Sequence, residues 1–132
     1  MLNPFPDLLV LGFFAPTIVR VTVGTLFIYA GYIHWQKRES IGNIIFPIIG
    51  KGDWIAWGSI LFHTAVGVML VFGYYTQIAA LLGGIGAFKG LWFAHRYREV
   101  FVYTRSTYIL LAAICASLLL SGAGAFAFDL PL

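Results

Sequence analysis

Three basic residues, Arg20, His63 and Lys89, lie inside long apolar stretches of this 132-residue chain, and none of these stretches contains Asp or Glu. A cationic side chain in hydrocarbon costs about 2.5–3.5 kcal/mol on insertion scales, so it normally has a partner or a path to water. The partner here has to be a backbone carbonyl, a lipid headgroup, a ligand or another subunit. Hydrogen-bond donors grouped without an acid suit an anion or a quinone carbonyl.

The depths of these residues along the apolar stretches suggest which of them share a site. Tyr29 falls at about the level of Lys89, as judged from the helical rise of 1.5 Å per residue. We therefore take Arg20, Tyr29, His63 and Lys89 as candidate residues of a quinone- or anion-binding site. No residue is identified as catalytic.

The histidines are also candidate ligands of a haem or a pigment, at His34, His63 and His95. Bis-histidine haem needs two histidines that face each other at one depth, and the residue count gives His63 no such mate. The single cysteine, Cys115, excludes a disulfide framework and a cysteine-based metal site. No metal site is predicted.

The composition is that of an integral membrane protein: 61% of the residues are hydrophobic, 10% are charged and the mean hydropathy is +0.91. Soluble domains carry closer to a quarter charged residues. An apolar run of about 20 residues crosses a bilayer as a helix, because its backbone polar groups are then satisfied internally. Four such runs occur, over residues 16–35, 54–72, 76–95 and 102–120. They predict an all-α, four-helix transmembrane bundle that forms one domain over residues 1–132.

The positive charges predict the orientation of this bundle. They flank the connections on one side only, at Lys37, Arg38, Lys51, Arg96, Arg98 and Arg105. The positive-inside rule places loops 36–53 and 96–101 in the cytoplasm and both termini on the extracytoplasmic side. Because the charges are spread over short loops and form no single basic face, a nucleic-acid partner is not expected. The partner that they indicate is a lipid bilayer.

Three segments together resemble the DoxX-like family of small four-helix membrane proteins. Residues 20–27 with Gly31 resemble the family's arginine-led first span. Residues 67–73 and 76–82 resemble its Gly-x-x-Thr-x-x-Ala-Ala turn, and residues 121–129 resemble its Gly-x-Gly-x-x-Ser-Leu-Asp ending. The resemblance covers nearly the whole chain and is carried by the joint order of the segments.

One departure from the family pattern concerns the basic residues. Members commonly carry Glu in the second span, at the position where this chain has His63, and Lys89 has no counterpart in the pattern. The acid expected opposite Arg20 is therefore missing. We expect a counter-charge from outside this chain.

The resemblance implies a place in a group that includes the small subunit type of thiosulfate:quinone oxidoreductase and companions of respiratory oxidases. We expect a multi-pass protein of a prokaryotic plasma membrane that acts as a subunit of a larger electron-transfer complex. It would pack against other integral membrane subunits, help to line a quinone or lipid pocket, and not be catalytic alone. The alternatives are a quinone-linked oxidoreductase subunit acting on a small sulfur anion, a haem- or pigment-bearing scaffold, and a small-solute transporter.

Overall fold

A computed structural model describes residues 11, 12, 14–45, 50, 52–97 and 101–129 of the chain. The regular elements within these residues are helices, which confirms the predicted all-α class. They are α1 (Ala15–Gln36), α2 (Arg38–Gly42), α3 (Asp53–Phe72), α4 (Thr76–Phe93) and α5 (Arg105–Ser121).

The helix ends follow from local backbone chemistry. Pro16 lies in the first turn of α1, where its missing N–H costs nothing. Helix α3 ends at Gly73, whose φ of 67° is a left-handed conformation that glycine adopts without strain. Helix α4 begins only three residues later, so α3 and α4 run antiparallel. The hydroxyl of Thr104 accepts a hydrogen bond of 3.5 Å from the Thr107 N–H and caps α5.

Helix α1 packs most extensively against α3, and α4 against α5. Glycines allow the first pair to approach closely: a methyl group on Gly24 would lie within 2.9 Å of the Gly67 carbonyl and the Val71 backbone N. Small residues bring helix backbones together in this way inside membranes. In the second pair, the ring of Tyr108 lies directly against Gly90.

The two helix pairs meet around Phe27, which is 4% exposed. Phe27 of α1 and Cys115 of α5 both lie against Gly83 of α4, so one aromatic ring joins three helices. The Tyr103 hydroxyl, just before α5, donates a hydrogen bond of 2.7 Å to the Leu26 carbonyl of α1. Contacts between the pairs are fewer than those within them.

Each predicted span coincides with one long helix, and the ends agree to within three residues. Two of these helices, α1 and α3, are long and apolar enough to cross a membrane, whereas α5 is apolar but shorter. Large apolar side chains are exposed on all four long helices, as a lipid environment requires. The membrane crossing of each helix, the four-helix bundle and the positions of the termini stay predictions. The short helix α2 lies within the long loop and was not predicted.

Candidate functional site

Arg20 is buried, with 1% of its surface exposed, and its acceptors come from the segment that follows α5. We call this segment, residues 122–129, the clasp. Arg20 Nη1 donates to the Ala123 carbonyl at 2.9 Å and Nη2 to the Phe126 carbonyl at 3.1 Å. Its Nε is buried and has no acceptor among the described residues. The planar guanidinium thus spans two carbonyls of one bent segment, a geometry that suits arginine and not lysine.

The clasp also closes the turn between α3 and α4. The carboxylate of Asp129 accepts backbone hydrogen bonds from Tyr75 at 2.9 Å and from Thr76 at 2.5 Å, at the start of α4. The Asp129 N–H in turn donates to the Gly73 carbonyl at 3.0 Å, beyond the last turn of α3. Donors at a helix start and carbonyls at a helix end have no partner within their own helix, and Asp129 supplies one for each.

The electrostatics of Asp129 favour its charged form. Desolvation alone raises the pKa of the carboxyl group, but the N–H groups of Thr76 and Tyr75 and the attraction of Arg20 outweigh it. The pKa of Asp129 is therefore lowered from its ordinary value.

These contacts correct the expectation that Arg20 takes its counter-charge from another chain. Its acceptors are backbone carbonyls of its own chain, and the nearby negative charge is Asp129. Sequence reasoning missed this because more than 100 residues separate Arg20 from the clasp. The signal was available in the glycines and the aspartate of residues 121–129.

His34 of α1 and His63 of α3 stack face to face, with ring centroids 4.7 Å apart and an angle of 24° between the rings. His34 is 3% exposed and His63 is half-buried. In each ring Nδ1 is hydrogen-bonded to the carbonyl four residues earlier, from His34 to Ala30 at 2.7 Å and from His63 to Ser59 at 2.8 Å. Nδ1 is the donor in both bonds, so in a neutral ring the lone pair lies on Nε2.

This contact overturns the interpretation that His63 has no mate at its depth. The residue count placed His34 near the end of its span and His63 near the middle of its own. However, helix side chains lean toward the N-terminus of their helix. Because α1 and α3 are antiparallel, the His34 ring leans toward the centre of α1 while the His63 ring leans back toward the start of α3. The two rings meet although their Cα atoms lie at different levels.

Two aromatic rings complete the surroundings of His63. Phe27 lies 6.0 Å from it between centroids, and Phe62 lies 5.4 Å away in an edge-to-face arrangement. A haem iron bound by both histidines would lie between them with the two rings end to end. The stacked rings do not fit that arrangement. The pair instead places imidazole nitrogen atoms next to the aromatic rings of Phe27 and Phe62.

The other predicted site residues lie apart from this pair. Tyr29 is 51% exposed and faces outward from α1, on the side opposite Gly24 and Gly31. Lys89 and His95 are exposed as well. Among the described residues, no hydrogen bond, ion pair or ring contact joins any of these three to His63. The structure thus brings His34 and His63 together and separates them from Arg20, Tyr29, Lys89 and His95.

Comparison with known proteins gives one family assignment. The DoxX family model matches residues 15–96, which is more than half of the chain and includes α1, α3 and α4. No curated protein and no solved structure matches the chain significantly. The matched residues include Arg20, the paired histidines and the Gly73 turn. The chain therefore belongs to the DoxX family, whose members are typically membrane proteins.

Proposed function

We propose that this DoxX-family protein is a small membrane subunit of an electron-transfer complex, and that its paired histidines bind a quinone headgroup. The observation that carries the proposal is the stacking of His34 and His63 within apolar helices. Paired polar rings in such a setting are costly and commonly mark a functional site. The aromatic walls formed by Phe27 and Phe62 suit a flat, apolar ring as ligand.

The hydrogen bonds of His63 define what it offers to such a ligand. Because its Nδ1 is held by the Ser59 carbonyl, its Nε2 is the nitrogen that exchanges a proton. A neutral ring accepts a hydrogen bond from a quinol hydroxyl, and a protonated ring donates one to a quinone carbonyl. His34 stacks against His63 and fixes the plane of its ring. The redox centre that exchanges electrons with the quinone is assigned to a partner subunit.

The exposed apolar surface supports the second half of the proposal, packing against partner helices. Lys89 lies on the outward side of α4, between the exposed side chains of Phe88 and Trp92. A carboxylate on a partner helix would offset the cost of this charge in the membrane. Tyr29 lies on the outward side of α1 and is assigned to the same kind of contact.

The test of the quinone site is photolabelling of the full chain in mild detergent with an azido-quinone. We expect His63→Gln to lower labelling about tenfold, because a hydrogen bond to the ligand is lost. His95→Gln is the matched control: it changes an exposed histidine outside the pair and should label like the wild type. Equal labelling of the His63→Gln variant and the wild type would refute the quinone site.

The test of the subunit role is a native pull-down in the same detergent. Partner subunits should copurify at a fixed stoichiometry, and Lys89→Gln should reduce their yield. A stable monomer that copurifies with no other membrane protein would refute the subunit role and leave the quinone site to its own test.

A further inference from the structure

A cavity of about 460 Å³ lies between the end of α4 and the start of α5. Its polar lining comes from His95 on one side and from Tyr103, Thr104 and Arg105 on the other. Phe101 supplies an apolar wall. The cavity is separate from the paired histidines, and the proposed quinone site does not use it.

Among the lining residues that the structure describes, the ionisable side chains of His95 and Arg105 are basic. Arg105 is the first residue of α5, where the helix dipole is already positive, and the first turn contains no acidic residue. A cation at that end of a helix is unfavourable unless an anion lies nearby. His95 adds a second basic group across the cavity. An anion placed between them would contact the guanidinium, the imidazole and the N-terminal end of α5.

The last turns of α4, which lead along the chain to Ala94 and His95 of the cavity, expose large apolar side chains. Trp92 and Phe93, in the last turn of α4, are 74% and 43% exposed, and Phe88 one turn earlier is 61% exposed. Exposed apolar side chains next to a cavity with basic lining match an amphiphile with an anionic head and apolar chains.

We propose that this cavity binds a phosphate group, as carried by an anionic phospholipid headgroup or by free phosphate. Arg105 provides a planar pair of donors for the phosphate oxygens, and His95 provides a further donor when protonated. The inference goes beyond the proposed function and holds whether or not a quinone binds at His63.

The experiment uses the full chain in detergent micelles and a fluorescent phosphatidylglycerol, with phosphatidylcholine as the zwitterionic reference. We expect preferential binding of phosphatidylglycerol, weakened about tenfold by Arg105→Gln and also weakened by His95→Gln. Arg96→Gln is the matched control, because it removes one positive charge at the same end of the protein from an exposed residue outside the cavity lining. Thermal unfolding in phosphatidylcholine checks that each variant is folded.

Competition with inorganic phosphate identifies the source of the ligand. If millimolar phosphate displaces the labelled lipid, the site takes the free anion as well; if it does not, the site requires the lipid. Equal weakening by Arg105→Gln and Arg96→Gln would overturn the proposal, because the effect would then be general surface attraction. Equal binding of the two lipids by the wild type would also overturn it.

Discussion

Replacing Asp129 tests whether the clasp holds the molecule together. The carboxylate accepts two backbone hydrogen bonds at the start of α4, from Tyr75 and Thr76. Bonds to a charged acceptor contribute about 1.5–3 kcal/mol each when desolvated, and the loss of a helix cap costs about 0.5–2 kcal/mol. Asp129 is only half-buried, so solvent screening favours the lower end of both ranges.

The lower ends of these ranges are about 3 kcal/mol for two bonds and about 0.5 kcal/mol for the cap, and Asp129→Ala should lower the free energy of unfolding by a value between them, about 2 kcal/mol. Asp129→Asn should lower it by about 1 kcal/mol, since the amide keeps one acceptor oxygen but no charge. The assay is reversible unfolding of the full chain in mixed detergent micelles, followed by circular dichroism. Glu39→Gln is the control: it removes an exposed acid on α2 and should change stability by less than about 0.5 kcal/mol.

The test depends on which of the two substitutions lowers the free energy of unfolding more. If Asp129→Asn matches the wild type, the charge contributes nothing to the cap. If Asp129→Ala costs no more than Asp129→Asn, the two hydrogen bonds do not stabilise the protein in micelles. Either result would refute the reasoning that the clasp is held through its carboxylate.

Further predictions concern the same clasp and the closest helix pair. Because folding lowers the pKa of Asp129, its carboxylate stabilises the protein at pH values above the ordinary carboxyl pKa of about 3.9. This stabilisation is lost as the pH falls through the pKa of the folded state. Asp129→Asn should remove this pH dependence from acid unfolding curves. Arg20→Lys should destabilise by about 2 kcal/mol in the micelle assay, since an ammonium cannot span both carbonyl acceptors; wild-type stability would contradict the bidentate contact. Gly24→Ala should cost about 1–3 kcal/mol because the methyl group meets the backbone of α3, whereas Gly58→Ala, which meets open space, should cost nothing. Equal stability of these two variants would show that α1 and α3 can move apart without a loss of stability.

The helices were predictable because their signal is local. Each apolar run of about 20 residues contains its own hydrogen bonds, so composition and turn residues such as Gly73 determine where the helices lie. The histidine pair was less predictable because it depends on the direction in which the side chains point. Helical rise gives the depth of a Cα atom but not the lean of a side chain, and the contact of His34 with His63 depends on that lean. The contact of Arg20 with the clasp was missed for a different reason, since more than 100 residues separate Arg20 from the carbonyls that accept its hydrogen bonds.

The clasp has a consequence for the order in which this protein is made. Arg20 emerges from the ribosome 103 residues before Ala123 and 106 before Phe126, the residues whose carbonyls accept its hydrogen bonds. Throughout that interval α1 holds an arginine without its native acceptors. The position of Arg20, in the second turn of α1, keeps the guanidinium within reach of interfacial water during insertion. The guanidinium of Arg20 therefore gains its two carbonyl acceptors only after all the described helices have been synthesised.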